Sequence, residues 1–508
     1  MENNVDWLAG EIEVVPDCEE ESTDVVDGIS IVKLSQALRE MEDIMGSFKR
    51  QKVSEVVKID DGEDKISQLP DSILNHILSF LSTSNAVATC ILSTRWKNLW
   101  TILPNLDFDD SLLYSRPVFG YPMKVTLFMH FVQRVLQLRN ASIEKLRLSC
   151  RVCFSASHVC MWLSSAIKNN VQELDLCLFV EEPFSLPSCV FYSKSLLVLK
   201  LEMNCTLELP DSISFPCLRT LHLCLVTFPD DSSTQRLFSG CPVLQELTVL
   251  DCDWINLKSV SISIPSLKSL TIDDLPYFGS PDDLNGCEIR IDSSNLRFLK
   301  YSGYLSNEIY LYNLSSRVDA SIHIAVLCDK RKQIAFRAVK LFRGLNNVSS
   351  VRISSGAIKS LFNADDVLDH LPVFQNLTHL ELGKGLENQT VGEFMELLRH
   401  LPKLESLDFF EGLESLDPCK PSGENDWKLK ALPTCFLSSL KTVNYCNFHA
   451  NETEICFLKL LLNIAIILEE MNIFCSESFL EDPKKHKEIR NHLHTLPKGS
   501  ARCAIKFF

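Results

Sequence analysis

The feature that most constrains this chain is one short apolar frame that returns in fixed phase along most of its length. The frame is apolar-x-x-apolar-x-apolar. It occurs as Ile143/Leu146/Leu148, Val171/Leu174/Leu176, Leu196/Leu199/Leu201, Leu218/Leu221/Leu223, Leu244/Leu247/Val249 and Leu267/Leu270/Ile272. It continues as Leu296/Leu299/Tyr301, Val348/Val351/Ile353, Leu377/Leu380/Leu382, Leu404/Leu407/Phe409, Leu440/Val443/Tyr445 and Leu468/Met471/Ile473. Most starts lie about 22 to 30 residues apart, the period of a leucine-rich repeat. Each frame fits one short strand with its apolar row inward, followed by a loop or helix that returns outside. A lone strand cannot bury such a row, so the repeats must stack. The long gap from Leu296 to Val348 is about two periods and holds a degenerate strand candidate, Ala320–Ile324. The Asn/Cys position after each strand is filled only patchily, by Asn204 and Cys252, so the expected solenoid, a horseshoe, is irregular.

At 508 residues the chain exceeds what one core holds. Hydrophobic content of 46% and charge of 23% are those of a folded protein. A net charge of −16 argues against nucleic acid, whose binding requires a basic face. Much of that charge sits in residues 1–63, an acidic stretch whose composition favours disorder. Leu34, Leu38, Met41 and Met45 fall at helical spacing within it, in a stretch that would fray without a partner. The N-terminus has no basic and apolar leader pattern, which excludes a secretory reading. The 20 cysteines are then expected to be reduced thiols and small core hydrophobes of a cytoplasmic or nuclear protein. On that reading the Asn-x-Ser/Thr triplets at Asn140, Asn313, Asn376 and Asn451 are chance sequons. The longest apolar run, Ile455–Leu468, is too short to span a bilayer.

The stretch Leu69–Trp100 has a different character. Pro70 suits a helix start, and Ile73, Leu74, Ile77, Leu78 and Leu81 make a broad stripe on a short helix. Ser84 and Asn85 read as a break and N-cap before a second helix with Val87, Cys90 and Ile91. Ser93 reads as the cap of a third, on which Trp96 and Trp100 sit four apart beside Leu92 and Leu99. Three short helices cannot hide so many large apolar groups from one another. A wide apolar patch on so small a module marks a protein partner.

From about Asp64 to Asp110 the pattern LPD, aliphatic helix, CILSTRWKNLW resembles an F-box, the module that docks on a Skp-type adaptor of SCF ubiquitin ligases. The resemblance implies an adaptor-facing surface of Leu69, Pro70, Ile73, Leu74, Ile77, Leu78, Leu81, Leu92, Trp96, Leu99 and Trp100. The segment Leu237–Cys252 resembles the repeat of plant F-box proteins. Trp427, Leu432–Phe448, a helix from about Glu452 to Leu462, the strand Met471–Phe474 and the ending ARCAIKFF resemble the FBD domain, although Asp482–His494 is more basic than that family leads one to expect. The expected fold is α/β: a short three-helix F-box, an irregular leucine-rich-repeat solenoid and a C-terminal FBD cap. The expected division is 1–63 acidic, 64–110 F-box, 111–142 connector with a helix around Val125–Leu138, 143–426 repeats and 427–508 FBD.

The implied function is substrate recognition within an SCF-type ubiquitin ligase. An adaptor-bound scaffold or a small-ligand receptor without a ubiquitination role stands as the alternative. A target would be gripped by strand residues between the inward leucines: Asp175, Lys200, His222, Thr248, Thr271, Lys300, Arg352, Glu381, Asp408, Asn444 and Asn472. Such a receptor needs no catalytic group, since it works by proximity. Cys150, Cys153, His158 and Cys160 offer four zinc donors but lie within eleven residues, too tight for a two-knuckle site, and read better as buried thiols. Gly383–Gly385 lacks the frame of a phosphate loop. No metal, cofactor, nucleic acid or membrane is expected.

Overall fold

A strand forms at every one of these frames in the computed structural model. It describes residues 66, 68–110, 121–139, 141–151, 155–179, 184–275, 284, 286–326, 330–362, 370–383, 386–387, 390–414, 432–481 and 483–508. The acidic segment 1–63, Asn140, Cys153, Lys384, Gly385 and Trp427 lie outside these residues. The chain divides into a unit Met1–Pro70 and a unit Asp71–Phe508.

The second unit carries twenty strands among the described residues. In chain order they are β1 Asn105–Asp109, β2 Lys145–Cys150, β3 Glu173–Leu178, β4 Val198–Met203, β5 Thr220–Cys224, β6 Glu246–Leu250, β7 Ser259–Ile262, β8 Ser269–Asp274, β9 Glu288–Asp292 and β10 Phe298–Gly303. Then follow β11 Glu308–Tyr312, β12 Asp319–Ile324, β13 Ser350–Ile353, β14 His379–Leu382, β15 Leu386–Glu387, β16 Ser406–Phe409, β17 Leu413–Glu414, β18 Thr442–Phe448, β19 Glu470–Cys475 and β20 Ala504–Phe507. Fifteen of them form one open parallel sheet in the order β1-β2-β3-β4-β5-β6-β8-β10-β12-β13-β14-β16-β18-β19-β20. β7, β9 and β11 form a smaller parallel sheet, and β15 pairs with β17.

Register follows the frames. Leu146 pairs with Leu174, Leu174 with Leu199, Leu199 with Leu221, Leu221 with Leu247 and Leu247 with Leu270. The same line runs on through Leu299, Ala320, Val351, Leu380, Leu407, Val443 and Met471 to Ile505. All of these side chains are buried. Identical phase therefore aligns one apolar row across the whole sheet, and a slip of one residue would turn it to solvent.

Helices return on the core side where their faces can cover that row. The helix Ala156–Lys168 buries Val159, Trp162, Leu163 and Ala166. The helix Glu452–Ile464 buries Phe457, Leu458, Leu461 and Leu462 and starts with a reciprocal cap between Asn451 and Glu454. Asn451, a sequon by pattern, is thus a helix cap. Around this helix Phe409 packs on Phe394, Tyr445 and Phe457 at centroid distances of 5.9, 5.6 and 5.2 Å. Gly412 turns with φ of +69°, a left-handed conformation that favours glycine, and an added Cβ would lie 3.0 Å from the Tyr445 hydroxyl, a tight contact.

The candidate strand Ala320–Ile324 is present within β12, and other expectations are corrected. β12 is a full member of the main sheet, and the rest of the long gap is filled by β11 and the helix Arg331–Arg343. The terminal region supplies three strands, β18 to β20, where two were expected. The connector helix spans Tyr121–Leu138. In the helical segment, Ser82, not Asn85, is the cap: its Oγ accepts from the Asn85 N–H at 3.4 Å, and the helix Thr83–Ala88 runs into a 3-10 turn, Thr89–Ile91. No helix starts at Ser93. Residues 94–98 form turns, and a 3-10 turn, Leu99–Ile102, carries Trp100 but not Trp96. Ser93, Thr94 and Asn98 are weak helix formers that favour turns, and burial of both indoles outweighs helical continuity.

Candidate docking surfaces

The helical segment divides its apolar residues between two sides. The helix Asp71–Leu78 turns Leu74 and Leu78 fully inward, each with 0% exposure, beside buried Trp96, Leu99 and Trp100. Its other face leaves Ile73 at 44% and Ile77 at 40% exposure, and the chain beyond adds Phe80 at 75%, Leu81 at 41%, Ile91 at 43% and Leu92 at 55%. In the unit Met1–Pro70, Leu69 is half-buried and Pro70 exposed, and the Leu69 N–H donates to the Ile66 carbonyl at 3.1 Å. Of the eleven residues expected on this face, the structure therefore sets Ile73, Ile77, Leu81 and Leu92 outward and five inward. Phe80 and Ile91 were missed on this face, although Phe80 follows Ile73 and Ile77 at helical spacing and Ile91 follows Val87 by four residues.

The inward side is held at three points. The Arg95 guanidinium bonds the Asp71 carboxylate at 2.6 Å, and Ser82 caps the second helix. The Thr83 hydroxyl accepts from the Asp107 N–H of β1 at 2.7 Å, which fastens the helices to the edge of the sheet. Between them lies a cleft of about 330 Å³ lined by Phe80, Leu81, Leu103, Leu106, Lys145 and Arg147 among others.

The second surface is the polar face of the main sheet. All eleven strand residues expected there fall on one ladder line. Asp175 pairs with Lys200, Lys200 with His222, His222 with Thr248, Thr248 with Thr271 and Thr271 with Lys300. Past Ser321 the line continues through Arg352, Glu381, Asp408, Asn444 and Asn472. Asp107, Arg147, Ser321 and Lys506 complete it and were missed, although each sits between two inward apolar residues.

The two ends of this row are knitted to themselves. Arg147 bonds Asp107 at 2.8 Å and Asp109 at 3.4 Å, and the hydrogen bond to Asp107 leads the causes that raise its pKa. Lys145 reaches Glu173 at 2.7 Å. Farther along, Arg352 bonds Glu381 at 2.8 Å, the Asn444 amide donates to Asp408 at 2.6 Å and the Asn472 amide to Asn444 at 2.9 Å. Between these groups, Thr248, Thr271, Lys300 and Ser321 have no side-chain partner among the described residues, and Phe298, two residues before Lys300, is 58% exposed. Burial, then the nearby Lys200 charge, lowers the pKa of His222, which favours its neutral form.

The chemistry-bearing candidates do not converge. Cys150 is buried and its thiol pKa is pushed up by desolvation, which makes it unreactive. The Cys160 thiol donates to the Ser185 carbonyl at 3.6 Å. Among the described residues no group of three His, Cys, Asp or Glu side chains is placed to hold a metal. No helix among them is long and apolar enough to cross a membrane.

An apolar helical face joined to a ladder of parallel strands defines the class of F-box and leucine-rich-repeat proteins, and sequence comparison finds models of these families along the chain. The F-box domain model matches residues 66–108, and the FBD model matches residues 430–473. A model described as FBD-associated F-box protein At5g56370, LRR repeats, matches residues 159–279. The putative F-box/FBD/LRR-repeat protein At3g59240 of Arabidopsis thaliana is 31% identical over 466 residues, covering 87% of this chain and 89% of that protein. The F-box/LRR-repeat protein At4g14096 of the same plant is 31% identical over 461 residues, covering 87% and 94%. The chain belongs to the plant F-box/FBD/LRR-repeat family.

Proposed function

We propose that this protein is the substrate receptor of an SCF-type ubiquitin ligase, a non-catalytic subunit acting in the cytoplasm or nucleus. The observation that carries the reading is the exposed row Ile73, Ile77, Phe80, Leu81, Ile91 and Leu92 inside the F-box match. So many large apolar side chains on about twenty residues call for a protein partner, and an F-box is usually seated on a Skp-type adaptor. Ile73, Ile77, Leu81 and Leu92 make the contact; Leu74, Leu78, Trp96, Leu99 and Trp100 support them from within.

The stacked parallel repeats form a leucine-rich-repeat solenoid closed by the FBD region, and its polar face grips a target protein. The centre of the row, Thr248, Thr271, Lys300 and Ser321, whose side chains have no partner among the described residues, is with Phe298 the best contact region. Side chains there need not surrender an existing ion pair in order to bind. Ubiquitin transfer then depends on holding the target near the charged conjugating enzyme.

The test is capture of the full chain from cells with the proteasome inhibited. Recovery of a Skp-type adaptor and a cullin, with proteins whose half-life lengthens when this chain is removed, supports the reading. Recovery of the adaptor with no change in any captured protein's half-life favours the scaffold alternative.

A further inference from the structure

The last strand of the main sheet, β20, is paired on one side only. The Ala504 N–H donates to the Glu469 carbonyl, the Phe508 N–H to the Ile473 carbonyl, and the Phe508 carbonyl accepts from the Cys475 N–H at 3.0 Å. Alternate residues of a strand turn their backbone groups to opposite sides, so those of Ile505 and Phe507 point away from β19. None of them has a hydrogen-bond partner among the described residues. The neighbouring Cys503 carbonyl already accepts from the Lys498 ammonium at 3.1 Å.

What surrounds this edge is basic. Leaving aside Lys506, which pairs with Glu470 at 2.7 Å on the polar face, residues 483–503 hold six Lys and Arg against one Glu, in a chain whose net charge is −16. The helix Pro483–Thr495 is fixed to the strand by one face: Arg490 lies 5.5 Å from the centre of the Phe507 ring, His494 at 5.9 Å and His486 at 6.2 Å. Lys487, Arg490 and Arg502 are exposed. At the end of the strand Phe508 stacks on Phe474 at 4.9 Å, with both rings partly open to solvent at 58% and 40%.

We propose that this edge is a docking site for an extended acidic peptide segment of a protein partner. The segment adds as a further strand along β20: its backbone completes the bonds of Ile505 and Phe507, and its carboxylates face Arg490 and its basic neighbours. Charge complementarity selects the occupant, since a basic or neutral strand would gain the backbone bonds without the field. This site is separate from both surfaces described above and does not depend on the adaptor reading.

The test uses the full chain and a labelled decapeptide alternating Glu and Thr, followed by fluorescence anisotropy at low salt. The expected result is saturable binding that weakens at least about tenfold in Arg490→Glu/Arg502→Glu and to a similar extent when alternate peptide nitrogens are methylated. Arg502→Glu alone, which leaves the Arg490–Phe507 contact in place, should weaken binding in the same direction, and unchanged thermal unfolding shows that the variants are folded. Absence of binding by the parent peptide overturns the proposal. Equal binding of the methylated peptide overturns strand addition, and equal competition by a duplex oligonucleotide reduces the site to general electrostatic attraction.

Discussion

The helical segment 71–102 and the parallel sheet bury apolar residues by opposite rules. In the sheet, every row residue from Leu146 to Ile505 is turned inward, and those from Leu146 to Met471 have a strand on either side. In the helical segment the same kinds of side chain are divided, with Leu74 and Leu78 at 0% exposure and Ile73, Ile77 and Leu81 at 40% or more. Leu247 at 1% and Leu81 at 41% make the contrast within one residue type. A repeat completes its core with the next repeat and leaves a polar face for binding. A short helical cluster has too little partner surface of its own, and its uncovered side is where another protein belongs.

This comparison can be broken by substitution. Leu247→Ala removes a fully enclosed side chain between Leu221 and Leu270 and should cost about 2–5 kcal/mol, read from chemical unfolding of the full chain. Leu81→Ala should cost less than about 1 kcal/mol, because the side chain is already in water. Equal losses would mean that Leu81 is as enclosed as Leu247.

A second test concerns Asp274, the last residue of β8. It is buried, and desolvation, aided by Asp273 and Asp251 and only partly offset by the Trp254 indole and the Asn307 amide, lifts its pKa to about 7. A carboxyl whose folded pKa is raised contributes most to stability below its unfolded value, near pH 4. That contribution is lost as pH rises from about 4 to about 7. Asp274→Asn should remove this part of the pH dependence, so the variant gains on the parent as pH rises toward 7 and above. A constant difference between the two across that window would show that Asp274 does not titrate there. The smallest effect is expected on the polar face: Arg352→Ala breaks an exposed pair with Glu381 and should change stability by less than about 1 kcal/mol, whatever it does to target binding.

Most of the sheet was legible because a strand's period is short and its burial one-sided, so phase alone aligned twelve frames and the row between them. Three things were not. The first strand carries the same frame, Leu103/Leu106/Phe108, but sits inside a stretch dominated by helical signals. In the side sheet, β7 carries the frame Leu257/Val260/Ile262 but only ten residues before that of β8, while β9 and β11 have only the alternation Ile289/Ile291 and Ile309/Leu311, without the leading apolar residue. In the helical segment, apolar spacing indicated a surplus but not which residues face outward; that depends on where Trp96 and Trp100 are packed, and Phe80 was lost at the helix end. The basic helix near the C-terminus stood out only by composition. Its meaning emerged once it lay beside an edge strand.

The account rests most directly on the outward apolar face, and one measurement addresses it. The full chain carrying Ile77→Asp and Leu81→Asp, both on that exposed side, is compared with the parent for co-purification of a Skp-type adaptor, with unfolding followed in parallel. The account predicts a loss of adaptor recovery of more than about a hundredfold with little change in unfolding. Undiminished recovery from the folded double variant would contradict it.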